Sequence, residues 1–230
     1  METNTVGRYV QGASGRDYAP HVARHNVALS ALPRTMTITC DPGSNGHMIA
    51  RMLADKMKVE YHDGSILDAI VIESKMARHL MERLDERHTG LLDDAVYSIL
   101  SGHPSFKDDY LRYLNIVLHK IVTKGGIIMG HGAHLILDIP EVLHVRIIGS
   151  RSRCILRMMK VMDISQNEAR KLYEEILRNR AQYIIKQFGS NIDDPELYDI
   201  VINTDYISAE YAVRNVLSCH SNNNIHKMSA

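Results

Sequence analysis

Tryptophan is missing from this 230-residue chain, phenylalanine occurs twice, and the three cysteines, Cys40, Cys154 and Cys219, lie far apart with no CxxC pair. That spacing argues against a disulfide framework or a zinc knuckle and suits a reducing compartment. An excess of one charge is also lacking. Lys+Arg and Asp+Glu both number 27, so no overall basic field draws in nucleic acid or an acidic membrane surface. Small molecules or other proteins are the expected partners. No run approaches the roughly 18 apolar residues of a transmembrane helix, and Met1 to Pro33 lacks the apolar core of a signal peptide. The expected compartment is cytoplasmic. The length suits one α/β domain over 34–219, preceded by a flexible arm at 1–33 and followed by a frayed tail at 220–230.

What is present is strongest between Thr35 and Lys56. A β-like run, Met36-Thr37-Ile38-Thr39, enters Gly43-Ser44-Asn45-Gly46 and then the helical pattern Ile49-Ala50-Met52-Leu53. A strand that turns through glycines into a helix aims backbone N–H groups and the positive helix end at one point, which suits a phosphate. The nucleotide-binding form GxxxxGK[ST] adds a lysine for the β/γ-phosphates and a hydroxyl for magnesium. Here Asp41 takes the first glycine position, His47 the lysine and Met48 the hydroxyl. A loop of this kind occurs in α/β proteins with and without a ligand, so by itself it leaves both readings open.

The remaining pattern alternates. Val59-Glu60-Tyr61 suggests a short strand, Ser65 to Arg83 a helix, Leu91 to Leu100 another, and Tyr110 to Thr123 a third with Leu111, Leu114, Val117 and Leu118 on one stripe. Ile127-Ile128-Met129 is short and wholly apolar, as a central parallel strand should be. It leads into Gly130-His131-Gly132. Leu143 to Ile148 is the next strand and Ser152 to Val161 the next helix. Ser165 with Glu168 forms a capping box opening a helix through Lys186. Asp199 to Asn203 and Ala209 to Leu217 close the series as strand and helix. Alternation predicts a parallel sheet with ligands outside the strand carboxyl ends. His131 and His134 could share a metal with His47, but no third ligand geometry supports it.

In order, Thr37-Ile38-Thr39, Gly43 to Gly46, Tyr61-His62-Asp63, Gly130-His131-Gly132-Ala133, Arg157, Ile164-Ser165, Arg180 with Tyr183, and Tyr198 to Thr204 make the chain resemble the cytidylate kinase-like family. The resemblance implies a P-loop, nucleoside-monophosphate-kinase-like α/β fold with a five-stranded parallel sheet flanked by helices. It further implies ATP phosphate at Gly43, Ser44, Asn45, Gly46 and His47, substrate contacts at Asp63 and His131, and catalytic charges at Arg157 and Arg180. The γ-phosphoryl would pass to a nucleoside monophosphate-like acceptor. Magnesium is compatible with this, with no protein ligand assignable. Phosphoryl transfer relies on positioning and charge neutralisation, so the cations matter most. The family commonly has arginine where this chain has Cys40, His47, His131 and a residue near Cys154, and acidic residues where it has Met48 and Leu177. Imidazole lacks the permanent charge and planar fork of a guanidinium. Two further readings therefore stand beside the kinase: a degenerate pseudokinase that senses a nucleotide or phosphometabolite, and a homo-oligomerisation module built on the Ser65 to Thr123 helices. Asp63 also suits a plain turn, and Arg157 and Arg180 also suit solvated helix faces.

Overall fold

The computed structural model describes residues 35–74 and 104–226. Thr35–Cys40 forms β1, Gly46–Met57 α1, Glu60–His62 β2 and Ser65–Ser74 α2. Next come Pro104–Lys124 (α3), Gly126–Met129 (β3), Ala133–Ile136 (α4), Val142–Ile148 (β4) and Arg151–Met162 (α5). Gln166–Phe188 (α6), a 3-10 turn at Pro195–Leu197, Ile200–Asn203 (β5) and Ala209–His226 (α7) complete the order. The five strands are all parallel, in the order β2-β3-β1-β4-β5. This is the five-stranded, helix-flanked sheet the pattern predicts.

Every residue of central β1 is buried. Its Met36, Ile38 and Cys40 join α1 residues Ile49, Ala50 and Leu53 and α7 residues Ala212, Val213 and Val216 in one core. Each fully buried aliphatic side chain stabilises by about 1.5–3 kcal/mol. Alternation turns Thr35, Thr37 and Thr39 to the other face. Buried hydroxyls need partners, and two histidines answer: His144 Nδ1 lies 2.7 Å from Thr37 Oγ1, and His134 Nδ1 lies 3.3 Å from Thr39 Oγ1. On that side α2, α3 and Ile128 of β3 share a second core around Ile66, Ile70, Leu114 and Leu118. A third, smaller core joins Cys154, Ile155 and Met158 of α5 to Ala169 and Tyr173 of α6.

The capping box forms as expected: Ser165 Oγ accepts from the Glu168 N–H, and the Glu168 carboxylate accepts from the Ser165 N–H. Helix ends differ from the periodic pattern in two places. α3 begins at Pro104, ahead of Tyr110, because proline is tolerated in a first turn whose N–H groups have no helical partner. α7 runs to His226, past Leu217 and into the segment expected as a tail. The helix expected over Ser65 to Arg83 is described through Ser74. Its remainder, the Leu91 to Leu100 helix and the arm at 1–33 lie outside the described residues.

Candidate functional site

β1 ends in the glycine loop, and close packing explains its glycines. Gly43 has φ +73°, and a Cβ there would stand 2.3 Å from the Cys154 carbonyl oxygen. A Cβ on Gly46 would stand 2.2 Å from Cys40 Cβ, so core packing alone requires a glycine here. Asn45 also adopts a left-handed conformation, φ 64°, and its side chain does not cap α1. Ser44 is fully buried. Its hydroxyl donates to the Asp41 carbonyl at 2.8 Å, its N–H donates to the same carbonyl at 3.2 Å, and its own carbonyl accepts from Thr204 Oγ1 at 2.9 Å. Ser44 is therefore a strut inside the loop.

The two arginines expected to act together separate. Arg157 lies on the outer side of the loop, where Nη1 donates to the Gly43 carbonyl at 3.3 Å and to Thr204 Oγ1 at 3.1 Å, and Nη2 donates to the Thr204 carbonyl at 2.6 Å. Arg180 of α6 instead lines a cavity at the ends of β1 and β3, together with His47, Asp63 and His131. Its Nη1 donates to the Cys40 carbonyl at 2.7 Å. Neither guanidinium is the solvated surface charge that composition alone would favour. His131, φ 57°, sits between left-handed Gly130 and Gly132, and its carbonyl accepts from Tyr183 Oη at 3.2 Å.

Within this cavity His47 Nδ1 lies 3.0 Å from Tyr61 Oη, and Tyr61 Oη donates to Asp63 Oδ2 at 2.9 Å. His47 Nδ1 and Asp63 Oδ2 are 3.4 Å apart. Burial pushes the Asp63 carboxyl upward, but the hydrogen bond and charge of His47, the Tyr61 hydroxyl and nearby His131 outweigh it, holding Asp63 below the usual carboxylate range. Burial, then the Asp63 charge, push the Tyr61 phenol up, so it stays a neutral donor. The contact of Tyr61 with His47 is not encoded in the glycine-loop motif. The place of Tyr61 on β2, two residues before the Asp63 that directly follows the strand end, is the available signal.

Below the loop, Arg146 of β4 is buried and its Nη2 donates to Asp41 Oδ1 at 2.7 Å and Asp193 Oδ1 at 3.0 Å. Burial works against the Arg146 charge, but Asp41, Tyr198 and Asp193 outweigh it and raise its pKa. An arginine inside the apolar strand Val-Leu-His-Val-Arg-Ile-Ile was the legible sign of a buried partner. His134 stacks on Tyr198 with ring centroids 4.9 Å apart. Burial, then His144 and Arg146, push its pKa down to about 3, so it is a neutral interior group. The sharing of a metal by His131, His134 and His47 is not formed: His134 faces Thr39 and Tyr198, and among the described residues no three His, Cys, Asp or Glu are grouped for a metal ion.

The sequence profile of the cytidylate kinase-like family matches residues 35–206. The chain belongs to the cytidylate kinase-like family. An uncharacterised protein from Eubacterium ventriosum superposes on this family member with a TM-score of 0.61 at 17% identity, over 81% of this chain and 98% of that one. At that identity the likeness is one of fold. Shikimate kinases from Bacteroides thetaiotaomicron and Acinetobacter baumannii give TM-scores of 0.44 and 0.46 at 16% and 15% identity, covering 82% and 85% of this chain and 98% and 97% of theirs. No curated protein matches the chain. Among the described residues no helix is long and apolar enough to cross a membrane.

Proposed function

We propose that this family member binds ATP at Gly43 to His47 and transfers its γ-phosphoryl to a nucleoside monophosphate-like acceptor beside Asp63 and His131. One observation carries the reading: the first turn of the twelve-residue α1 delivers His47 to a cavity shared with Asp63, His131 and Arg180. A helix N-terminus left uncapped by Asn45 offers N–H groups and a positive dipole end to a phosphate. His47 would add a hydrogen bond and, when protonated, a charge. Arg180 would neutralise charge on the transferring group after leaving the Cys40 carbonyl. The ATP phosphates fit this donor set. Magnesium does not find an equivalent fit, because Met48, half exposed, stands where the motif has its hydroxyl, and no step is derived through the metal.

A sensor reading is favoured by a different observation: Arg157 and Arg180 both hydrogen-bond to backbone carbonyls. Binding at this loop would then release an arginine and shift the chain without chemistry. Titration of the full chain with ATP, with and without magnesium, followed by a transfer assay on a panel of nucleoside monophosphates, separates the two. Binding with transfer to a pyrimidine nucleoside monophosphate is expected for the kinase. Binding with no transfer leaves the sensor, and no binding overturns both.

A further inference from the structure

The contact between His47, Tyr61 and Asp63 has a direction. Asp63 is ionised and can only accept, so the Tyr61 hydrogen goes to its Oδ2 at 2.9 Å. Tyr61 Oη then has lone pairs free for His47 Nδ1 at 3.0 Å, and that pairing requires the hydrogen to be on Nδ1. The second ring nitrogen, Nε2, is the one left for a ligand. Which imidazole nitrogen carries the proton is set by the hydrogen bond the other makes. His47 and Asp63 are each about half exposed, so the ring remains reachable from the cavity.

We propose that Tyr61 and Asp63 are positioning residues that hold His47 as its Nδ1–H tautomer with Nε2 presented to an anionic phosphate. The proposal rests on the nucleotide reading for the identity of the ligand, but the tautomer does not depend on it. A phosphate oxygen at Nε2 requires a hydrogen there, and the neutral ring held by Tyr61 has none. Where the ring is neutral, a phosphate oxygen at Nε2 would bring one proton with it, Nδ1–H staying on Tyr61. A lysine in the same position would arrive already charged. Other charged or titratable groups around the cavity are Cys40 from β1, Tyr110 from α3, His131 from the β3–α4 turn, His134 from α4, and Arg180 and Tyr183 from α6. Arg51 of α1 lies over the Tyr61 ring, 5.3 Å from its centroid. A guanidinium is a permanent cation across the working pH range. His134 is neutral there and Cys40 is pushed up, by burial first, away from thiolate. His131 is the other imidazole that could meet the phosphate from this cavity, and its contribution is controlled by substitution.

The test is long-range 1H–15N NMR of the full chain labelled at histidine nitrogens, with His47 assigned by its loss in His47→Gln and the pH series repeated in His131→Gln. The neutral ring in wild type is expected as Nδ1–H, and Tyr61→Phe is expected to release it to a tautomer mixture. ATP affinity at pH 6.5 should fall about fivefold in Tyr61→Phe, the scale of one lost hydrogen bond, and binding heats in buffers of different ionisation enthalpy should show proton uptake by wild type. A wild-type Nε2–H tautomer, or a tautomer unchanged by Tyr61→Phe, overturns the relay. Should Tyr61→Phe fail to fold, the wild-type tautomer together with Asp63→Asn decides the matter by the same criterion. If the Nδ1–H form is present and ATP does not bind, the nucleotide reading falls and the relay stands. If ATP binds and the form is absent, the relay falls alone.

Discussion

Two glycine turns sit side by side at the carboxyl ends of neighbouring strands, Gly43 to Gly46 after β1 and Gly130 to Gly132 after β3, and they are held in opposite ways. The first presses on main chain, with a Gly43 Cβ placed 2.3 Å from the Cys154 carbonyl oxygen. It is also tied down by Arg157 and Thr204. The second presses on a side chain, with a Gly132 Cβ placed 2.4 Å from the Phe188 ring, and is tied by a hydroxyl, Tyr183 Oη to the His131 carbonyl. Backbone cannot yield without moving a helix, whereas a ring can change rotamer. The first turn is thus held fixed by main chain, and the second rests against a wall that can adjust.

Gly43→Ala should have the largest effect. A left-handed φ and a backbone clash combine, and a loss on the order of 3–4 kcal/mol is expected in urea unfolding. A loss under about 1 kcal/mol would show that the α5 start gives way and would remove the contrast. For Gly132→Ala about 1–2 kcal/mol is expected, mostly the cost of positive φ. Combining it with Phe188→Leu should recover part of the loss, and additive effects of the two changes would mean the ring is as immovable as the Cys154 carbonyl.

The ties offer a finer comparison. Thr204→Val removes a hydroxyl bound to Ser44 and Ile148 carbonyls and should destabilise by about 1–2 kcal/mol while weakening ATP binding. Tyr183→Phe, losing one half-buried bond to His131, should cost no more than about 1 kcal/mol. Equal losses from the two would break the ranking of the turns. The smallest effect belongs to pH. Asp63 has its folded-state pKa depressed, so its contribution to stability is complete above the unfolded carboxylate value of about 3.9 and disappears as pH falls through the lower folded value. Asp63→Asn should therefore flatten the acid limb of the stability profile below about pH 4 and leave neutral pH nearly unchanged. An identical acid limb in wild type and variant would place the carboxylate outside the His47 contact.

Much of this was legible locally. The Ser165–Glu168 capping box, the glycine loop between β1 and α1, and the apolar run of β3 are set by neighbours within a few residues, and all three form where periodicity and turn chemistry put them. The site residues divide along the same line. Asp63 follows its strand directly and lies at the cavity, but the role of Arg157 beside Gly43 was not legible, because its contact spans 114 residues. Arg180 reaches the Cys40 carbonyl across 140 residues, a contact no helical spacing encodes.

The sequence by itself therefore determined the alternation of strands and helices, the loop that begins α1, and the presence of imidazoles at His47 and His131, because these depend on residue type and short-range spacing. Only the tertiary structure decided which charges meet. The order β2-β3-β1-β4-β5 brings β2 within reach of α1, so Tyr61 and Asp63 close on His47. The same order sets β4 against β1, so the Arg146 guanidinium meets Asp41, 105 residues away. Strand order is a property of packed layers, where buried polar groups must find partners from whatever lies adjacent, and no local pattern carries that information.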